Sequence, residues 1–350
     1  MVTLKEIAQK CNVSVATVSN VLNGKPKVSE ETKKLIEKTM EELGYYPNYA
    51  AQALRGQKTY AIGVIVDDIG LFTMPKAIES IMEHCEAEGY RTVIQNLRLF
   101  ARWDDTWYNQ QEAYRSILEQ ALNELLSIKV DGIIYVASHA RKIRCFPENF
   151  PIPVIFVNAY MEEGTVPTIS VDDQKGAYDL TKYLIGMGHK KIGIIAGLAD
   201  NMHVQQRLLG YQKALFEEGI LFNPAWIHYG KWERKTGYIH TGALLKEGVT
   251  AIFCMADQMA GGVYDYLEEH QLKVAEDMSV VGFDNQIISE FFRPALTTID
   301  LPIAETSEEV VKLLLAMIDQ DEAQIEEIQK ERIRLRPCHM IIRNSVKRLE

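Results

Sequence analysis

The feature that most constrains this chain is a repeated alternation of continuous apolar runs with helical patterns after residue 60. The apolar runs lie near residues 60–67, 92–94, 131–136, 153–157, 191–195, 251–254 and 279–283. Continuous apolar strands that alternate with helices are typical of parallel sheets covered by helices on both faces. The rhythm restarts near residue 173. The sequence therefore predicts an α/β fold with two doubly wound parallel-sheet lobes.

The composition is that of a globular protein, with 47% hydrophobic and 25% charged residues over 350 positions. No apolar run is long enough to span a membrane, and the first residues lack the basic-then-apolar profile of a signal peptide. The five cysteines are scattered without a CxxC pair, which favours reduced thiols over a disulfide framework or a zinc site. We therefore expect a cytoplasmic protein of two or three domains, with no metal, no cofactor and no membrane partner.

The charge is distributed unevenly along the chain. The whole chain has a formal net charge of −10, but residues 1–60 contain nine Lys or Arg against six Glu, a balance of +3 that leaves −13 for the rest. Binding to phosphate needs local positive charge rather than a positive total. A basic head on an acidic body fits a protein that touches nucleic acid with one end only.

The first 44 residues have the pattern of three short helices. Thr3 opens a capping box at the start of the first helix, and Ser14 can cap a second helix near 15–22. Ser29 can cap a third helix, which ends at Gly44. Two short helices joined by a tight turn and braced by a third indicate a helix-turn-helix.

The outward face of the second helix carries short side chains that allow it to approach base edges closely. Asn20 can pair its amide bidentately with adenine, and Val15 or Ala16 can pack on a thymine methyl group. Thr17 and Ser19 carry hydroxyl groups that suit phosphate oxygens. This pattern predicts that the head reads DNA in the major groove, although any small three-helix bundle also has polar outward faces.

The head resembles the DNA-binding head of the LacI/GalR repressor family in the strings VTLKEIAQKCNVSVATVSNVLNG and VSEETKKLIEKTMEELGYYPNYAAQALR. The resemblance implies that the second helix enters the major groove and that residues 48–56 form a hinge helix that orders on DNA. It also implies that Leu54 wedges into the minor groove at a flexible pyrimidine–purine step. The DNA contacts predicted from the pattern and the resemblance together are Thr3, Ser14, Val15, Ala16, Thr17, Ser19, Asn20, Asn23, Tyr45, Asn48, Leu54 and Arg55.

In open parallel sheets, ligands bind at the carboxyl ends of the strands. The residues just past the predicted strands are polar and aromatic, at 67–72, 138–139, 158, 197–203, 257 and 284–285. They include no nucleophile–base pairing, phosphate-binding loop or metal-ligand spacing, so the sequence gives no case for an enzyme. Asp and Asn side chains at strand ends suit hydrogen bonds to a polyol or a nucleobase.

The body resembles the effector domain of the same family, which is related to periplasmic sugar-binding proteins, in strings such as RLLGY, ADQMA and VGFDN. The resemblance implies that Arg207 and Asp257 make strong polar contacts with an effector and that Trp232 stacks on it. The effector contacts predicted from the strand ends and the resemblance together are Phe72, Ser138, Asn158, Asn201, His203, Arg207, Trp232, Asp257 and Asp284. A surface role for Arg207 and a core role for Trp232 are the structural alternatives.

The resemblance also divides the chain into three parts. The head covers residues 1–60, with the hinge helix at about 48–56. The first lobe covers 61–160 plus about 289–320. The second lobe covers 161–288 plus about 321–350.

These features together predict a sequence-specific transcriptional regulator, a repressor, controlled by a small-molecule effector such as a sugar or sugar derivative. A homodimer would place two heads one helical turn apart on a near-palindromic operator. An effector that changes the angle between the lobes would order or melt the hinge helices. A nucleobase or nucleoside effector, a protein co-regulator, a solute-binding protein and an α/β enzyme remain as alternatives.

Two segments of the body stand out from this pattern. Residues 96–110 are longer and more aromatic than the usual link of the family at this place, and they predict a flap over the cleft, a partner surface or a loop packed on its own lobe. The acidic segment 319–327 is expected to be a solvated connection between the last helix and the last strand.

We expect Leu54→Ala to weaken operator binding by about ten-fold or more, because an alanine is too short to hold open a base step. Gel-shift titrations of the wild type and the variant measure this, with effector binding as the control that stays unchanged. Equal operator affinity of the two proteins would contradict the wedge.

Overall fold

The structure, a computed structural model, describes residues 2–22, 28–45, 58–104, 111–161 and 166–350. The chain separates into two compact units, Met1–Thr59 and Tyr60–Glu350. None of the described helices is long and apolar enough to cross a membrane.

The first unit, the head, contains three helices, α1 (Leu4–Lys10), α2 (Val15–Leu22) and α3 (Glu30–Glu42). Each helix contributes a fully buried aliphatic side chain to a common core, and these side chains are Ile7, Val18 and Ile36. The expected hydroxyl groups cap the helices. They are Thr3, Ser14 and Ser29, which accept hydrogen bonds from backbone N–H groups of the first turns. The helix-turn-helix pattern therefore forms as the sequence predicts.

The first lobe of the second unit is built on a six-stranded parallel sheet. Its strands are β1 (Ala61–Val66), β2 (Arg91–Asn96), β3 (Gly132–Lys142), β4 (Val154–Tyr160), β5 (Thr168–Val171) and β11 (Ile333–Arg336), in the order β2-β1-β3-β4-β5-β11. Its helices are α4 (Met74–Ala87), α5 (Leu99–Trp103), α6 (Gln111–Ser127), α12 (Ile303–Asp319) and α13 (Glu322–Lys330).

The second lobe is built on a four-stranded parallel sheet. Its strands are β6 (Ile192–Ala196), β7 (Ile227–Tyr229), β8 (Ala251–Cys254) and β9 (Ser279–Val281), in the order β7-β6-β8-β9. Its helices are α7 (Asp173–Gly186), α8 (Met202–Glu217), α9 (Arg234–Lys246), α10 (Asp257–Glu269) and α11 (Ile288–Phe291). A short antiparallel pair, β10 (Thr298–Asp300) with β12 (His339–Ile341), accompanies it. The predicted class, two doubly wound parallel-sheet lobes behind a helix-turn-helix head, is confirmed.

The strand order of each sheet fixes where a ligand can bind. In the first sheet the chain order reverses between β1 and β3, and in the second between β6 and β8. The connections that follow neighbouring strands at such a point run to opposite faces of the sheet and leave a crevice at the carboxyl ends. Both crevices belong to the same cleft, because residues that follow β1 and residues in the second halves of β3 and β4 line one cavity together with residues that follow β6 and β9.

The membership of the two sheets differs from the predicted division at 160, 289 and 321. Strand β5 follows residue 160, and β11 follows residue 321, yet both pair within the first sheet. Residues 288–300 belong with the second lobe, where Phe292 and Leu296 are buried in its core. The reason is that periodicity predicts a strand without indicating which sheet edge it joins, and short crossover strands carry too few residues to show it.

The structure bears differently on the two segments of the body that stood out in the sequence. The prediction that the acidic segment 319–327 is a solvated connection is wrong in part. Most of the segment belongs to α13, which Asp321 caps, and Ile328 of that helix is buried. In the aromatic segment 96–110, Leu97 and Leu99 are buried in the core of the first lobe, with Trp103 packed against it. Residues 105–110 lie outside the described residues. The described part therefore agrees with a segment packed on its own lobe.

Helices α9 and α10 pack so closely that only glycine fits at their crossing. A Cβ atom on Gly262 would lie 1.8 Å from the carbonyl oxygen of Arg234 and 2.5 Å from the backbone nitrogen of Tyr238. Those atoms are backbone and cannot rotate away, so the two helices would have to move apart.

We expect Gly262→Ala to destabilise the chain by about 3 kcal/mol, at the upper end of overpacking changes. Gly186→Ala is the matched control, because nothing lies within 4 Å of a Cβ there and alanine favours a helix by up to about 1 kcal/mol. Urea unfolding measures both. Equal unfolding midpoints for the two variants would contradict the close packing.

Candidate functional site

A cavity that encloses about 430 Å³, part of it open to solvent, lies in the cleft at the carboxyl ends of the strands. Its lining includes seven of the predicted effector contacts, and they are Phe72, Ser138, Asn158, His203, Arg207, Trp232 and Asp284. The other lining residues are Thr73, His139, Val171 and Leu301. The expectation that strand ends carry the site therefore located the cavity, while its apolar wall was missed and His139, although noted at a strand end, was not among the predicted contacts.

The guanidinium group of Arg207 is held between two carboxylates. Its Nε donates to Oδ1 of Asp173 at 2.7 Å, its Nη2 lies 3.5 Å from Oδ1 of Asp284, and its Nη1 donates to the carbonyl oxygen of Met255. Burial lowers the pKa of Arg207, but the two carboxylates raise it above its ordinary value. Arg207 is therefore a buried, charged and fully engaged residue rather than a surface residue of its helix.

The two carboxylates beside Arg207 have different proton affinities. Burial acts to raise the pKa of Asp173, but His203 and Arg207 hold it below its ordinary value. Burial raises the pKa of Asp284 to about 6, although Arg207 and His203 oppose this. Asp173 is thus the permanent counter-ion, and Asp284 is the group at the cavity that titrates near neutral pH.

His203 joins the two lobes through hydrogen bonds at both of its ring nitrogens. Its Nδ1 lies 2.6 Å from Oδ2 of Asp173, and its Nε2 lies 2.9 Å from the backbone nitrogen of Ala140 in β3. The backbone N–H can only donate, so Nε2 accepts and the ring proton sits on Nδ1, where it bonds to the carboxylate. The sequence pattern did not single out Asp173, because the short strand that it follows, β5 (Thr168–Val171), was not among the predicted strands.

Asn201 forms a second hydrogen bond between the lobes. The bonds that join the lobes beside the cavity, from Ala140 to His203 and from Asn201 to His139, are called the seam. Oδ1 of Asn201 accepts from the backbone N–H of His203 at 2.9 Å and caps α8, while its Nδ2 donates to Nδ1 of His139 at 3.0 Å. Asn201 does not line the cavity, in contrast to the role expected for it. It holds the ring of His139, which does.

The end of β3 is positioned by a buried ion pair inside the first lobe. Both Nη atoms of Arg141 bond to the carboxylate of Asp67 at 2.8 Å, and Tyr135 donates its hydroxyl to the same carboxylate. Asp67 also accepts from the backbone N–H of Ser138 at 2.7 Å. The pair therefore fixes Ser138 and its neighbour His139 at the cavity. An arginine within an otherwise apolar strand was the sequence signal that could have revealed it.

Asp257 lies behind the cavity and not in its lining. Its Oδ1 accepts from the hydroxyl of Thr298 at 2.6 Å, and its Oδ2 accepts from the backbone N–H of Gln286 at 2.7 Å. Oδ2 thus holds the loop that follows β9, and Oδ1 holds the start of β10. The arrangement makes Asp257 a support for neighbouring Asp284, which differs from the direct contact that the resemblance implied.

Three aromatic rings meet at one corner of the cavity. The ring centroids of Phe72 and His139 are 5.3 Å apart, and that of Trp232 lies 6.3 Å from Phe72 and 6.2 Å from His139. Phe72 has a backbone φ of +47°. A phenylalanine adopts this left-handed conformation only at a cost, and such strain is concentrated at binding sites. The corner offers a ligand both apolar ring surface and polar ring edges.

In the head, α2 presents its predicted DNA-contact face outward. Val15 is 43% exposed, Ala16 is exposed, and Thr17, Ser19 and Asn20 are half-buried. The remaining described residues of that set have structural contacts, because Thr3 and Ser14 cap helices and Tyr45 packs against the core of the head. The residues of the set that lie outside the described part, together with the hinge helix 48–56, are Asn23, Asn48, Leu54 and Arg55.

Comparison with known proteins matches both parts of the chain. The family described as bacterial regulatory proteins, lacI family, matches residues 3–48, and the periplasmic binding protein-like domain matches residues 181–346. The transcriptional repressor PurR of Pasteurella multocida (strain Pm70) is 32% identical over 353 residues, which cover 99% of both chains.

Solved structures of the same family match as well. The lac repressor dimer bound to operator and the anti-inducer ONPF has a TM-score of 0.80 and 26% identity, with 99% of each chain covered. A LacI family regulator from Enterococcus faecium with bound ribose has a TM-score of 0.65 and 26% identity, covering 83% of this chain and 100% of that one. The chain belongs to the lacI family of bacterial regulatory proteins and is a DNA-binding transcriptional regulator with an effector-binding domain.

Proposed function

We propose that this chain is a homodimeric repressor of a near-palindromic operator and that a neutral small molecule in the cavity controls its operator affinity, with a sugar as the first candidate. The observation that carries this proposal is the charge balance around Arg207. Among the described residues that line the cavity, Arg207 is the one Lys or Arg side chain, and two carboxylates already engage it.

This balance favours an uncharged ligand. A phosphate or carboxylate group would need a guanidinium with free donors, whereas Arg207 gives its Nε to Asp173 and faces Asp284. An anion would also meet the ionised carboxylate of Asp284 above pH 6, the value about which that group titrates. Hydroxyl groups suit this site better, because they can donate to the carboxylate of Asp284.

A sugar is the first candidate for two reasons. The related regulator from Enterococcus faecium was solved with bound ribose, and Asn158 and Ser138 add further polar side chains to the cavity wall. A nucleobase or nucleoside is the second candidate, favoured by the aromatic corner that Phe72 and His139 form.

The control of DNA binding would act through the seam between the lobes. The bonds from Ala140 to His203 and from Asn201 to His139 cross from one lobe to the other beside the cavity. A ligand that fits one arrangement of the lobes better than another shifts their equilibrium by that difference in affinity. The cavity is therefore placed where a ligand can bias the arrangement of the lobes.

Two heads would be needed for a specific site. A single recognition helix such as α2 reaches only a few base pairs, so proteins with this motif bind as dimers to two half-sites. The similarity to the lac repressor, which was solved as a dimer on its operator, supports the same assembly here.

The experiment that tests the proposal selects bound DNA from a random pool and then measures the affinity of the recovered sequence with and without ligands. The ligands are neutral sugars, nucleobases and the 6-phosphates of the same sugars. We expect a near-palindromic sequence whose affinity changes with an uncharged ligand. Recovery of no preferred sequence would refute the operator, and a response to the phosphates alone would refute the neutral effector.

We expect Asn20→Ala to lower affinity for the selected operator by about 10- to 100-fold, because one bidentate amide contact is worth roughly 1–3 kcal/mol. Gln9→Ala is the matched control, since Gln9 is an exposed amide side chain on α1 of the same head. Fluorescence anisotropy with labelled operator measures both variants. An Asn20 variant that binds as tightly as the Gln9 variant would remove Asn20 from the contact face.

We expect the stability of the wild type to fall relative to that of Asp284→Asn as the pH rises from about 4 to 7. The folded chain holds the pKa of Asp284 at about 6, above its ordinary value of 3.8, so protonation favours folding below pH 6 and this advantage is lost as the pH rises through 6. The difference is at most about 3 kcal/mol. Urea unfolding at several pH values measures it, and parallel curves for the two proteins would contradict the raised pKa.

A further inference from the structure

One face of the indole ring of Trp232 is covered by backbone. A Cβ atom built on Gly197 would lie 2.2 Å from Cε2 and 2.4 Å from Cζ2 of Trp232. Cε2 is a ring-fusion carbon with three bonded neighbours in the ring plane, so an atom this close can approach it only from above the plane. Gly197 therefore packs flat against the indole, and no ligand ring can stack there.

Other side chains surround the remainder of the indole. The guanidinium carbon of Arg207 lies over the ring at 5.7 Å from its centroid, and the ring of His139 lies at 6.2 Å with an angle of 31°. Phe72 approaches with its ring at 75° to the indole. As a result Trp232 is only 9% exposed, although it lines the cavity. The indole has protein neighbours where a stacked ligand would have to lie.

The polar edge of Trp232 differs from its faces. Its Nε1 is buried and has no hydrogen-bond partner among the described residues, and the same holds for Oγ of Ser138 on the opposite lobe. An indole N–H can only donate, and buried donors in proteins are rarely left without an acceptor. Both residues line the same cavity, so a ligand bound there is the natural source of the missing partners.

We propose that Trp232 recognises the effector by donating its indole N–H to an acceptor atom of the ligand, and that Ser138 supplies the second contact from the other lobe. This inference rests on the proposed binding of a neutral effector in the cavity. It replaces the stacking role that the family resemblance implied for Trp232. The required ligand class is an uncharged molecule with a hydrogen-bond acceptor, such as a ring or hydroxyl oxygen of a sugar or a ring nitrogen of a base.

The apolar contact with the ligand then falls to Phe72. Its ring is half-buried and lines the cavity, and its backbone φ of +47° directs it there at a conformational cost. The aromatic corner thus offers the ligand an apolar ring face from Phe72 of the first lobe and a polar ring edge from Trp232 of the second.

The test compares Trp232→Phe with Trp226→Phe. Phenylalanine keeps an aromatic face but removes the N–H, so the variant separates donation from stacking. Trp226 is the matched control, because its Nε1 is also buried without a partner among the described residues but does not line the cavity. The probes are D-ribose, D-galactose and hypoxanthine, and the affinity is measured by calorimetry.

We expect Trp232→Phe to lower the affinity of the probe that binds by about ten-fold, as the loss of a buried hydrogen bond does, with Trp226→Phe unchanged. In ¹⁵N-labelled wild type, the Trp232 indole resonance should move downfield on saturation with that probe. Retained affinity in Trp232→Phe, or an indole resonance that does not move, would overturn the inference.

The ligand-free chain provides an independent measurement. The indole N–H of Trp232, assigned by its loss in Trp232→Phe, should resonate near the unbonded position of Trp226. A downfield, already hydrogen-bonded resonance would overturn the inference. If none of the probes binds, that result counts against the proposed effector class. The ligand-free spectrum still tests the inference itself, because it shows whether the indole N–H lacks a protein partner.

Discussion

The second lobe depends on the buried charge of Arg207. A guanidinium removed from water is tolerated only when carboxylates and carbonyl groups satisfy it, and here the guanidinium and its three partners lie at four places in the chain. Asp173 begins α7, Arg207 itself lies on α8, Met255 follows β8 and Asp284 follows β9. One side chain thus ties together the elements that form the second wall of the cavity. The same engagement leaves the cavity without an unpaired Lys or Arg side chain among the described residues, and this supports the proposal of an uncharged ligand.

In the first lobe, a buried ion pair likewise holds together the elements that form the wall of the cavity. Arg141 and Asp67 are buried and bonded through two atoms each, and they hold the end of β3 where Ser138 and His139 face the cavity. Each lobe therefore shapes its own wall by internal charge pairs that would be costly to break. The contacts between the lobes include the weaker single bonds of the seam, from Ala140 to His203 and from Asn201 to His139, together with an exposed ion pair of Lys231 with Asp104.

The sequence located the cavity better than it assigned the roles of its residues. The polar and aromatic residues at the predicted strand ends included Phe72, Ser138 and Asp284, which line the cavity, because the ends of parallel strands meet at one edge of the sheet. The sequence misassigned Asn201 and Asp257, which stand at the correct places but bond to protein instead of facing the cavity. It missed His139 as a lining residue for the same reason, since the direction of a side chain at a strand end depends on its neighbours.

By itself the sequence determined the features that depend on neighbouring residues in the chain. The caps at Thr3, Ser14 and Ser29, the three helices of the head and the alternation of strands and helices all follow from local hydrogen bonds and from the spacing of apolar side chains. Only the tertiary structure decided which sheet received β5 and β11, which carboxylates surround Arg207 and which part of Trp232 remains open. These features join residues far apart in the chain, such as Gly197 with Trp232, and they arise from packing that no local pattern records.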